Sequence, residues 1–472
     1  MEVRIKRFSN DTNSNECILP KSIFDALKLS TKESYTIHFC QSTQEILISF
    51  SEVDDINIYF SENLFNQLQL LENTTLNIWK TDKDIFIGPV VGIFVDAGRK
   101  KAAIRKPDSF IRQHMRASGA ENCISYFFSA SDVDWLEEKV KGVTYIPNLR
   151  KYDYYWFPLP DVLYDRVLEF NEKERLLIKE ARKRFRNNPK IKLLNDFNDI
   201  GKWELYEVLS KYPESKKYVP ETIIYNNFDD VLYMLNKNEL IFIKSFYGTQ
   251  GKEVLSIEKF NDKFKLNFYK DGAREILLDS INKVQEFVIN FALKKKYIVQ
   301  QGIKLLTYKG RSMDIRMFIM KNETGMWETI FKGVRIAKEG FPLTNIHAGG
   351  VYAIYDRLYS ELMKQYSSVE LPSTQKLSEV TIMLTNYIEK ELGHYGELGI
   401  DIGIDILGQI WIIEANVMPG KRMQPYSLDI DGNPLTKLIP LYYEGSKKDS
   451  TILPQALGIF KYAKFLTGVS KL

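Results

Sequence analysis

The segment from Gly399 to Gly420 places acidic side chains inside an otherwise apolar hairpin, and this constrains the fold more than any other stretch of the chain. Apolar residues at the even positions from 400 to 406 alternate with Asp401 and Asp405, and Leu407-Gly408 supplies a turn before a second apolar strand over 410–413. A turn of the two-residue kind places Asp401 directly opposite Glu414.

The second strand of this hairpin ends in two further polar residues. Asn416 follows Glu414 by two positions, so the period of a strand puts both side chains on one face, beside Asp401. Two carboxylates and an amide carbonyl suit Mg²⁺, which keeps several waters and completes its octahedron with substrate phosphates. The pattern predicts a metal site at these three residues and a nucleotide as the substrate. The alternative is an exposed hairpin with ordinary surface carboxylates, which the flanking Ile and Trp residues disfavour.

Length and composition bound the class of protein. The 472 residues, 44% of them hydrophobic, can bury large cores and should divide into about three domains. The start of the chain lacks an apolar run with a cleavage site, and no segment has the uncharged length of a membrane helix, so we expect a cytoplasmic protein. Cys17, Cys40 and Cys123 are too widely spaced for a disulfide framework or a zinc site. The net charge of +4 gives no strong case for nucleic acid.

Residues 1–88 contain a repeat with an offset of 41 positions. The segment from Leu19 to Leu29 matches that from Phe60 to Leu70, and Tyr35–Phe39 matches Leu76–Lys80. Each copy predicts a strand, a short helix and two further strands. Neither copy can bury its apolar face alone, so we expect them to interleave into one barrel, which resembles pseudo-symmetric β-barrels of the double-psi type. DNA binding by this barrel is an alternative, but no basic or aromatic residues concentrate here.

Residues 89–190 alternate strand and helix patterns, which predicts a small α/β domain. Val90–Val95 has the composition of a buried strand. Phe110–Gly119 predicts a helix that carries Arg112, His114 and Arg116. These three side chains form either a contact for an anionic substrate or a solvated helix face.

A glycine loop lies between two apolar strands in the middle of the chain. The strand that contains Lys244 leads into Gly248-Thr-Gln-Gly251, and another strand follows. This is not a Walker A sequence, because the glycine spacing is too short and no helix follows. A mobile glycine loop can still fold over phosphates with its backbone N–H groups while Lys244 offers a point charge. The alternative is a plain hairpin turn, which the position upstream of the metal hairpin disfavours.

Further polar segments follow in a fixed order before the metal hairpin. They are the strand Tyr297–Ile303, the strand Met313–Met320 with Asp314 and Arg316, the strand from Gly333 with Arg335, and the loop Thr344–Gly350 with Asn345. With Lys244 and the glycine loop, this order resembles the ATP-grasp superfamily, in which a lysine strand, a glycine loop, an adenine-binding hinge and an Asp…Glu-x-Asn hairpin occur in this sequence. The spacing of 13 between Asp401 and Glu414 is what that family shows.

The resemblance can be narrowed to one branch of the superfamily. The Asp-Ile-Arg strand and the segment from Arg335 to Asn345-Ile-His-Ala-Gly-Gly look closest to the glutathione synthetase and ribosomal-protein glutamate ligase branch. From Phe197 onward the chain is similar to the YheC/YheD group of endospore coat-associated ATP-grasp proteins, over about residues 90–465 in all. The resemblance implies an α/β fold with an ATP-grasp domain over 191–472, a pre-ATP-grasp domain over 89–190 and the barrel over 1–88.

The resemblance also implies an ATP site. Lys202 and Lys244 would bind the phosphates, and the adenine hinge would offer backbone groups and an apolar slot. Gln301 in this hinge stands where many relatives have Glu. The remaining members of the site are the loop residues Gly248, Thr249, Gln250 and Gly251 and the hinge residues Gln300, Gln301, Gly302 and Ile303.

The same resemblance assigns the chemical residues. Asp401, Glu414 and Asn416 would hold Mg²⁺, with Mn²⁺ as a substitute. Arg335 would steady the transferred phosphoryl group or the acyl phosphate, where charge develops, and Arg316 and Asn345 join it as catalytic candidates. Lys421 is either an anchor for a substrate carboxylate or a surface lysine, and His347 either touches substrate or makes a structural hydrogen bond.

These parts imply an ATP-dependent ligase. A substrate carboxylate would attack the γ-phosphate to give an acyl phosphate and ADP, and an amine would then displace phosphate to form an amide or peptide-like bond. Peptides and spore coat proteins are the partners that the resemblance suggests. The alternative is a coat-assembly or scaffold protein whose ATP site is vestigial or structural. The acceptor pocket is expected in the layer over 90–170 and the loops after Gly350, whose residues give no specificity code.

Overall fold

The computed structural model describes residues 1–9, 14–53, 55–168, 171–247, 253–269, 273–292, 295–337, 351–420 and 452–469. The chain divides into two compact units. The first contains residues 1–197, 321–326 and 445–472, and the second contains residues 198–320 and 327–444. None of the helices in the described ranges has the length and apolarity needed to span a bilayer.

The first unit begins with a closed barrel. Its elements are β1 (Glu2–Phe8), β2 (Glu16–Pro20), α1 (Lys21–Ala26), β3 (Tyr35–Phe39), β4 (Ser42–Ser51), β5 (Asn57–Ser61), α2 (Glu62–Leu68), β6 (Thr75–Thr81) and β7 (Asp84–Gly88). The strand order around the barrel is β1-β5-β2-β4-β3-β7-β6. The predicted repeat is confirmed, since β2-α1-β3-β4 and β5-α2-β6-β7 are its two copies.

The two copies of the repeat interleave in the barrel. Strand β2 of the first copy pairs antiparallel with β5 of the second, and β3 pairs parallel with β7. The buried Ile23 and Phe24 of α1 recur 41 positions later as the buried Leu64 and Phe65 of α2. Each copy therefore supplies strands to the barrel and apolar side chains to its core, which explains why the apolar pattern repeats.

An α/β layer completes most of the first unit. Its elements are β8 (Val90–Phe94), α3 (Ala97–Arg105), α4 (Ser109–Ala120), β9 (Ile124–Phe128), β10 (Val133–Asp134), β11 (Lys139–Ile146), β12 (Lys151–Pro158), β13 (Val162–Asp165), α5 (Glu172–Asn187) and β14 (Lys192–Leu193). The sheet order is β10-β11-β9-β8-β13-β14, and β12 pairs with β11. The predicted helix over 110–119 is confirmed as α4, which begins after Asp108, whose side chain accepts from the Ile111 N–H.

The second unit contains two sheets. The first has the strand order β15-β20-β16-β17-β18-β19. The elements up to the end of this sheet are α6 (Lys202–Ser210), α7 (Pro213–Lys216), β15 (Thr222–Ile224), α8 (Phe228–Lys237), β16 (Leu240–Ser245), β17 (Val254–Phe260), β18 (Lys263–Tyr269), β19 (Ala273–Leu278), α9 (Ile281–Ala292) and β20 (Tyr297–Gln301).

The second sheet of this unit has the order β24-β23-β22-β25-β26, and β21 pairs with β22. Its elements are β21 (Thr307–Tyr308), β22 (Arg311–Lys321), β23 (Trp327–Ile336), β24 (Val351–Ile354), α10 (Tyr355–Gln365), α11 (Thr374–Leu392), β25 (Glu397–Ile404) and β26 (Ile410–Asn416). Helices α6, α10 and α11 pack their apolar residues against this sheet in one core. The last described helix, α12 (Pro454–Thr467), belongs to the first unit and packs on α4.

The loop of the β25–β26 hairpin differs from the prediction. It spans residues 405–409 rather than the two residues Leu407-Gly408. Asp405 organises the loop, because its Oδ1 accepts from the N–H groups of Leu407 and Gln409 at 2.9 Å and its Oδ2 accepts from Trp411 Nε1 at 2.8 Å. Asp405 is therefore a turn residue, which separates its role from that of Asp401.

We expect Asp405→Ala to lower the free energy of unfolding by about 1–3 kcal/mol, because it leaves three donors without their acceptor. Asp405→Asn keeps an acceptor oxygen for the two backbone donors and should lose less. Urea unfolding followed by tryptophan fluorescence measures both. Equal stability of the alanine variant and the unchanged protein would contradict this role.

Candidate active site

The β25–β26 hairpin brings Asp401 and Glu414 directly opposite each other, as the sequence predicted, but by another route. Near the loop, Ile404 faces Ile410 and Ile402 faces Ile412. The register then shifts between Asp401 and Ile402, so Asp401 faces Glu414 and Gly399 faces Asn416. The longer loop alone would have left the acids out of register, and the irregularity restores their pairing.

Asp401 is a fully buried carboxylate held by two arginines of neighbouring strands. Arg316 of β22 donates to both of its oxygens, through Nε to Oδ1 and through Nη2 to Oδ2 at 2.9 Å. Arg335 of β23 donates through Nη2 to Oδ2 at 2.7 Å. Burial by itself would raise the pKa of Asp401, but the two guanidinium groups outweigh it and hold the pKa below its usual range. Asp401 therefore stays ionised.

The pKa of Glu414 is shifted in the opposite direction, above its usual range. Burial and the neighbouring Asp401 carboxylate raise its pKa, and Lys202 and Arg335 only partly oppose this. The two carboxyl groups are close enough for Glu414 to donate a hydrogen bond to Asp401 when it is protonated. Asn416 Nδ2 donates to Glu414 Oε1 at 3.2 Å, which confirms that the two side chains share a face.

The two arginines limit how Asp401 could bind Mg²⁺. A carboxylate offers about four lone-pair directions, and the described donors Arg316 and Arg335 take three on Asp401. A divalent cation between Asp401 and Glu414, which lie opposite each other, would use the remaining direction. Among the described residues no three His, Cys, Asp or Glu side chains form a metal cluster. Two carboxylates with Asn416 nevertheless fit Mg²⁺, which keeps waters and phosphate ligands.

Two lysines lie near Glu414. Lys202 begins α6, and its Nζ lies 4.0 Å from Glu414 Oε2. Lys244, on β16, donates to Gln300 Oε1 at 2.7 Å. Burial and the charge of Lys202 lower the pKa of Lys244 to about 8, while Glu414 opposes this. The predicted phosphate-binding lysines therefore lie beside the predicted metal residues, although they come from different elements.

The predicted adenine hinge comprises the last two residues of β20, Gln300 and Gln301, and the two residues that follow the strand. Gln300 is buried and holds Lys244 with its Oε1, while its Nε2 donates to Thr222 Oγ1 at 2.9 Å. The N–H groups of Gln301 and Gly302 donate to the carbonyls of Glu221 and Leu240, both at 2.8 Å. These two N–H groups are therefore already used within the protein.

Gly302 of this hinge lies very close to Leu240. A Cβ there would lie 2.3 Å from Leu240 Cγ, so only glycine fits.

Part of the predicted site lies outside the described residues. The strands on either side of the glycine loop pair antiparallel, with Lys244 opposite Val254. Ser245 also binds Glu253 across the base of the loop, with its Oγ donating to Oε2 at 2.6 Å. The predicted residues outside the described ranges are Gly248, Thr249, Gln250, Gly251, Asn345, His347 and Lys421.

The sequence did not identify Asp314 as a site residue. Its Oδ1 accepts from Arg335 Nε at 2.6 Å, so Arg335 is held between Asp314 and Asp401. The signal was present in Asp-Ile-Arg, because alternation puts Asp314 and Arg316 on one face of β22. The pattern does not show that β23 is the neighbour of β22, and it is this pairing that brings Arg335 against that face.

His114 corrects the predicted patch on α4. Its side chain is buried, and its Nδ1 lies 2.7 Å from the Phe110 carbonyl. Arg112 is exposed on the same helix. Only the arginines of this predicted patch therefore reach the surface.

A family model described as YheC/D-like ATP-grasp matches residues 190–442, more than half of the chain. The endospore coat-associated protein YheD of Bacillus subtilis (strain 168) is 24% identical over 425 residues, 87% of this chain and 89% of that protein. The endospore coat-associated protein YheC of the same organism is 23% identical over 295 residues, 62% of this chain and 80% of that protein. The solved ATP-grasp ligase PsnB, complexed with minimal precursor, Mg and ADP, is 10% identical, with 81% of this chain and 99% of that chain covered and a TM-score of 0.43.

We expect Asp314 and Arg335 to be energetically coupled. In a double-mutant cycle with Asp314→Asn and Arg335→Gln, the interaction energy should be about 1–3 kcal/mol, because both groups are largely buried and share a network. The more exposed pair Lys332 and Asp356, with Nζ and Oδ1 3.2 Å apart, is the matched control and should give about 0–1 kcal/mol. Urea unfolding measures both cycles. Equal energies in the two cycles would contradict the assignment.

Proposed function

The chain belongs to the YheC/D-like ATP-grasp family, and from this membership we propose that it is a Mg²⁺- and ATP-dependent carboxylate–amine ligase. A substrate carboxylate attacks the γ-phosphorus of ATP, the bond from that phosphorus to the ADP oxygen breaks, and an acyl phosphate and ADP form. The amine nitrogen then attacks the acyl carbon, phosphate leaves, and the amine gives up a proton. The product is an amide or peptide-like bond.

The observation that carries the proposal concerns Lys244, a partly buried lysine that donates to the neutral Gln300 Oε1 at 2.7 Å. Its pKa is lowered to about 8 because burial and Lys202 disfavour its ammonium form more than Glu414 favours it. A polyphosphate would supply the negative charge that this position lacks. The carboxylates and Asn416 are close by, so phosphates held by the lysines would also reach a cation on Asp401 and Glu414.

Each residue has a defined part in the proposed reaction. Lys202 and Lys244 orient the phosphates, and Asp401, Glu414 and Asn416 hold Mg²⁺, which when bound neutralises phosphate charge during transfer. Arg335 is fixed by Asp314 and Asp401, so its cation is already oriented when charge develops on the transferred group. Because positioning and electrostatics supply most of the acceleration in phosphoryl transfer, little acid–base machinery is required.

We extend the proposal to the biological setting. Two relatives are named endospore coat-associated proteins, which supports a ligase that acts in maturation of the spore coat or of spore peptides. A second candidate is a coat-assembly protein that binds ATP without catalysis. The occupation of three lone-pair directions of Asp401 by arginines favours it, because those bonds compete with a metal.

We expect incubation with Mg-ATP and fractions of spore extract to release ADP and phosphate together with a condensed product that mass spectrometry detects. Glu414→Gln should lower the rate about 100-fold or more, because it removes a charge that places the metal. Asp356→Asn, an exposed carboxylate of the same unit, is the control and should keep the rate.

Two results would go against the ligase. Release of AMP and pyrophosphate would exclude an acyl phosphate. Thermal stabilisation by ATP that is the same without Mg²⁺ and in Glu414→Gln would favour the assembly protein.

Lys244 also predicts a pH dependence of ATP binding. Its pKa of about 8 means that the ammonium form is lost above that pH, and bound phosphates favour that form. The affinity for ATP should therefore fall as pH rises from about 8 to 10, by at most about tenfold per pH unit, with uptake of a proton on binding. Calorimetry in buffers of different ionisation enthalpy measures the uptake.

The lowered pKa of Lys244 also makes the free energy of unfolding depend on pH. Between about pH 8 and the ordinary pKa of lysine, the unfolded chain holds a proton at residue 244 that the folded protein lacks, so this group makes the free energy of unfolding rise with pH. Lys244→Met should remove both effects in this window. Proton uptake that persists in Lys244→Met would assign the dependence to another group.

A further inference from the structure

The ribbon formed by β11 and β12 has one face that carries aromatic and basic side chains to the surface. The two strands pair in unbroken antiparallel register from Lys139 opposite Pro158 to Ile146 opposite Lys151. On the inner face Gly142 makes room for the ring of Tyr126, since a Cβ there would lie 2.5 Å from it. The outer face has cross-strand pairs of Lys141 with Trp156 and of Tyr145 with Tyr152.

The aromatic residues of this outer face are accessible. Tyr145 and Trp156 are each 43% exposed and Tyr154 is 39% exposed. Single exposed aromatic side chains are ordinary, but a contiguous group of them marks an interaction surface, and aromatic residues are enriched in the centres of interfaces. The outer face thus offers apolar contact area that the rest of the described first unit does not cover.

Basic residues surround these rings. Residues 96–116, which include α3 with its N-cap Asp96 and most of α4, contain seven Lys or Arg and two acidic residues, Asp96 and Asp108. Helix α3 reaches the ribbon, because Lys100 Nζ lies 5.7 Å from the centre of the Tyr154 ring. Burial raises the pKa of the Tyr152 phenol, and the charges of Arg112 and Arg116 of α4 oppose this rise. We call this combined surface of α3, α4 and the outer face of the ribbon the aromatic–basic face.

Some cations of this face are paired, such as Lys100 with Asp132 at 2.5 Å, and others form no ion pair with a described carboxylate. Within the described ranges no ion pair forms at Lys101, Arg105, Lys141 or Arg150, all of which are exposed. By contrast, Lys151 pairs with Asp153 at 2.6 Å and Lys139 with Glu137 at 3.6 Å. The face therefore carries excess positive charge, and the ligand that complements it is anionic.

Strand β12 also offers a backbone edge. Among the described strands it pairs with β11 alone. The Tyr154 N–H donates to the Asp153 carboxylate at 2.8 Å instead of to another strand, which identifies an amide on the outer edge. An edge strand of eight residues with no Pro before its last position and no bulge can pair with a further strand.

We propose that the aromatic–basic face docks an acidic polypeptide segment, which pairs as an added strand with the open edge of β12. Its main chain would extend the sheet, and alternate acidic side chains would meet the cations beside the exposed rings. The occupant is a separate polypeptide rich in Asp and Glu. The inference does not depend on the ligase chemistry, because the face and its charges belong to the first unit alone.

Single-stranded nucleic acid is the other polyanion that aromatic and basic residues suggest, and the ring geometry disfavours it. Bases need open ring faces on which to stack. The Nζ atoms of Lys141 and Lys100 lie 5.3 Å and 5.7 Å from the centre of the Tyr154 ring, so these cations occupy its faces. The Tyr145 and Tyr152 rings contact each other edge to face at 5.7 Å. A backbone edge, in contrast, is a feature that only a polypeptide can use.

The test uses the full chain without ATP or Mg²⁺. The probe is a fluorescein-labelled peptide of about twelve alternating Glu and Val residues, long enough to span β12 at about 3.4 Å per residue. Fluorescence anisotropy should show saturable binding, and hydrogen exchange of the amides of residues 151–158 should slow. The double variant Lys141→Glu/Arg105→Glu should bind at least tenfold more weakly. Trp156→Ala should also weaken binding, because it removes apolar contact.

Matched controls separate this face from general attraction of charges. Lys32→Glu/Lys83→Glu changes the net charge equally at exposed positions of the barrel and should leave the affinity unchanged. The same peptide with Lys in place of Glu should not bind.

Three outcomes would overturn the proposal. They are no saturable binding of the acidic peptide, an equal loss in the control variant, and tighter binding of labelled oligothymidylate through Lys141 and Trp156, which would assign the face to nucleic acid.

Discussion

The second unit depends on the buried ion cluster at Asp401. A carboxylate taken out of water costs several kcal/mol unless it is paired and hydrogen-bonded, and removing one partner of a buried pair costs about 3–5 kcal/mol. Asp401 meets this requirement with Arg316 and Arg335, and Arg335 in turn needs Asp314. The cluster therefore joins strands β22, β23 and β25 in one register, and a slip of one residue in any of them would leave a charge unpaired.

The same requirement explains the irregularity in the hairpin. Asp405 uses both of its oxygens to hold a five-residue loop, which sets the pairing near the loop. If that pairing continued along the two strands, Asp401 would lie opposite a residue other than Glu414. The shift between Asp401 and Ile402 brings the acid opposite Glu414. A local departure from regular pairing is thus the means by which two acidic side chains meet in an apolar hairpin.

The cations divide into two kinds by environment. The guanidinium groups of Arg316 and Arg335 are neutralised by carboxylates inside the cluster. Lys244 has a neutral partner, Gln300, and another cation nearby, so its charge is disfavoured. The arginines thus maintain the arrangement of the site, while the lysine is the group that gains most from an anionic ligand. This difference is what connects the packing of the sheets with the proposed binding of phosphates.

The sequence by itself determined the repeat of the barrel and the helix α4, because each rests on a pattern of apolar residues within its own segment. It also predicted the opposition of Asp401 and Glu414, although a longer loop and a register shift, and not the predicted two-residue turn, produce that pairing. It also indicated Lys244, Gln300 and Arg335 through the order of motifs. The tertiary structure alone decided which side chains these residues meet. The partnership of Asp314 with Arg335, the Gln300 contact of Lys244 and the burial of His114 depend on strands and helices distant in the chain. A periodic pattern specifies the face on which a side chain lies, whereas its partner is chosen by the order of strands in the sheet, and that order is a property of the folded chain.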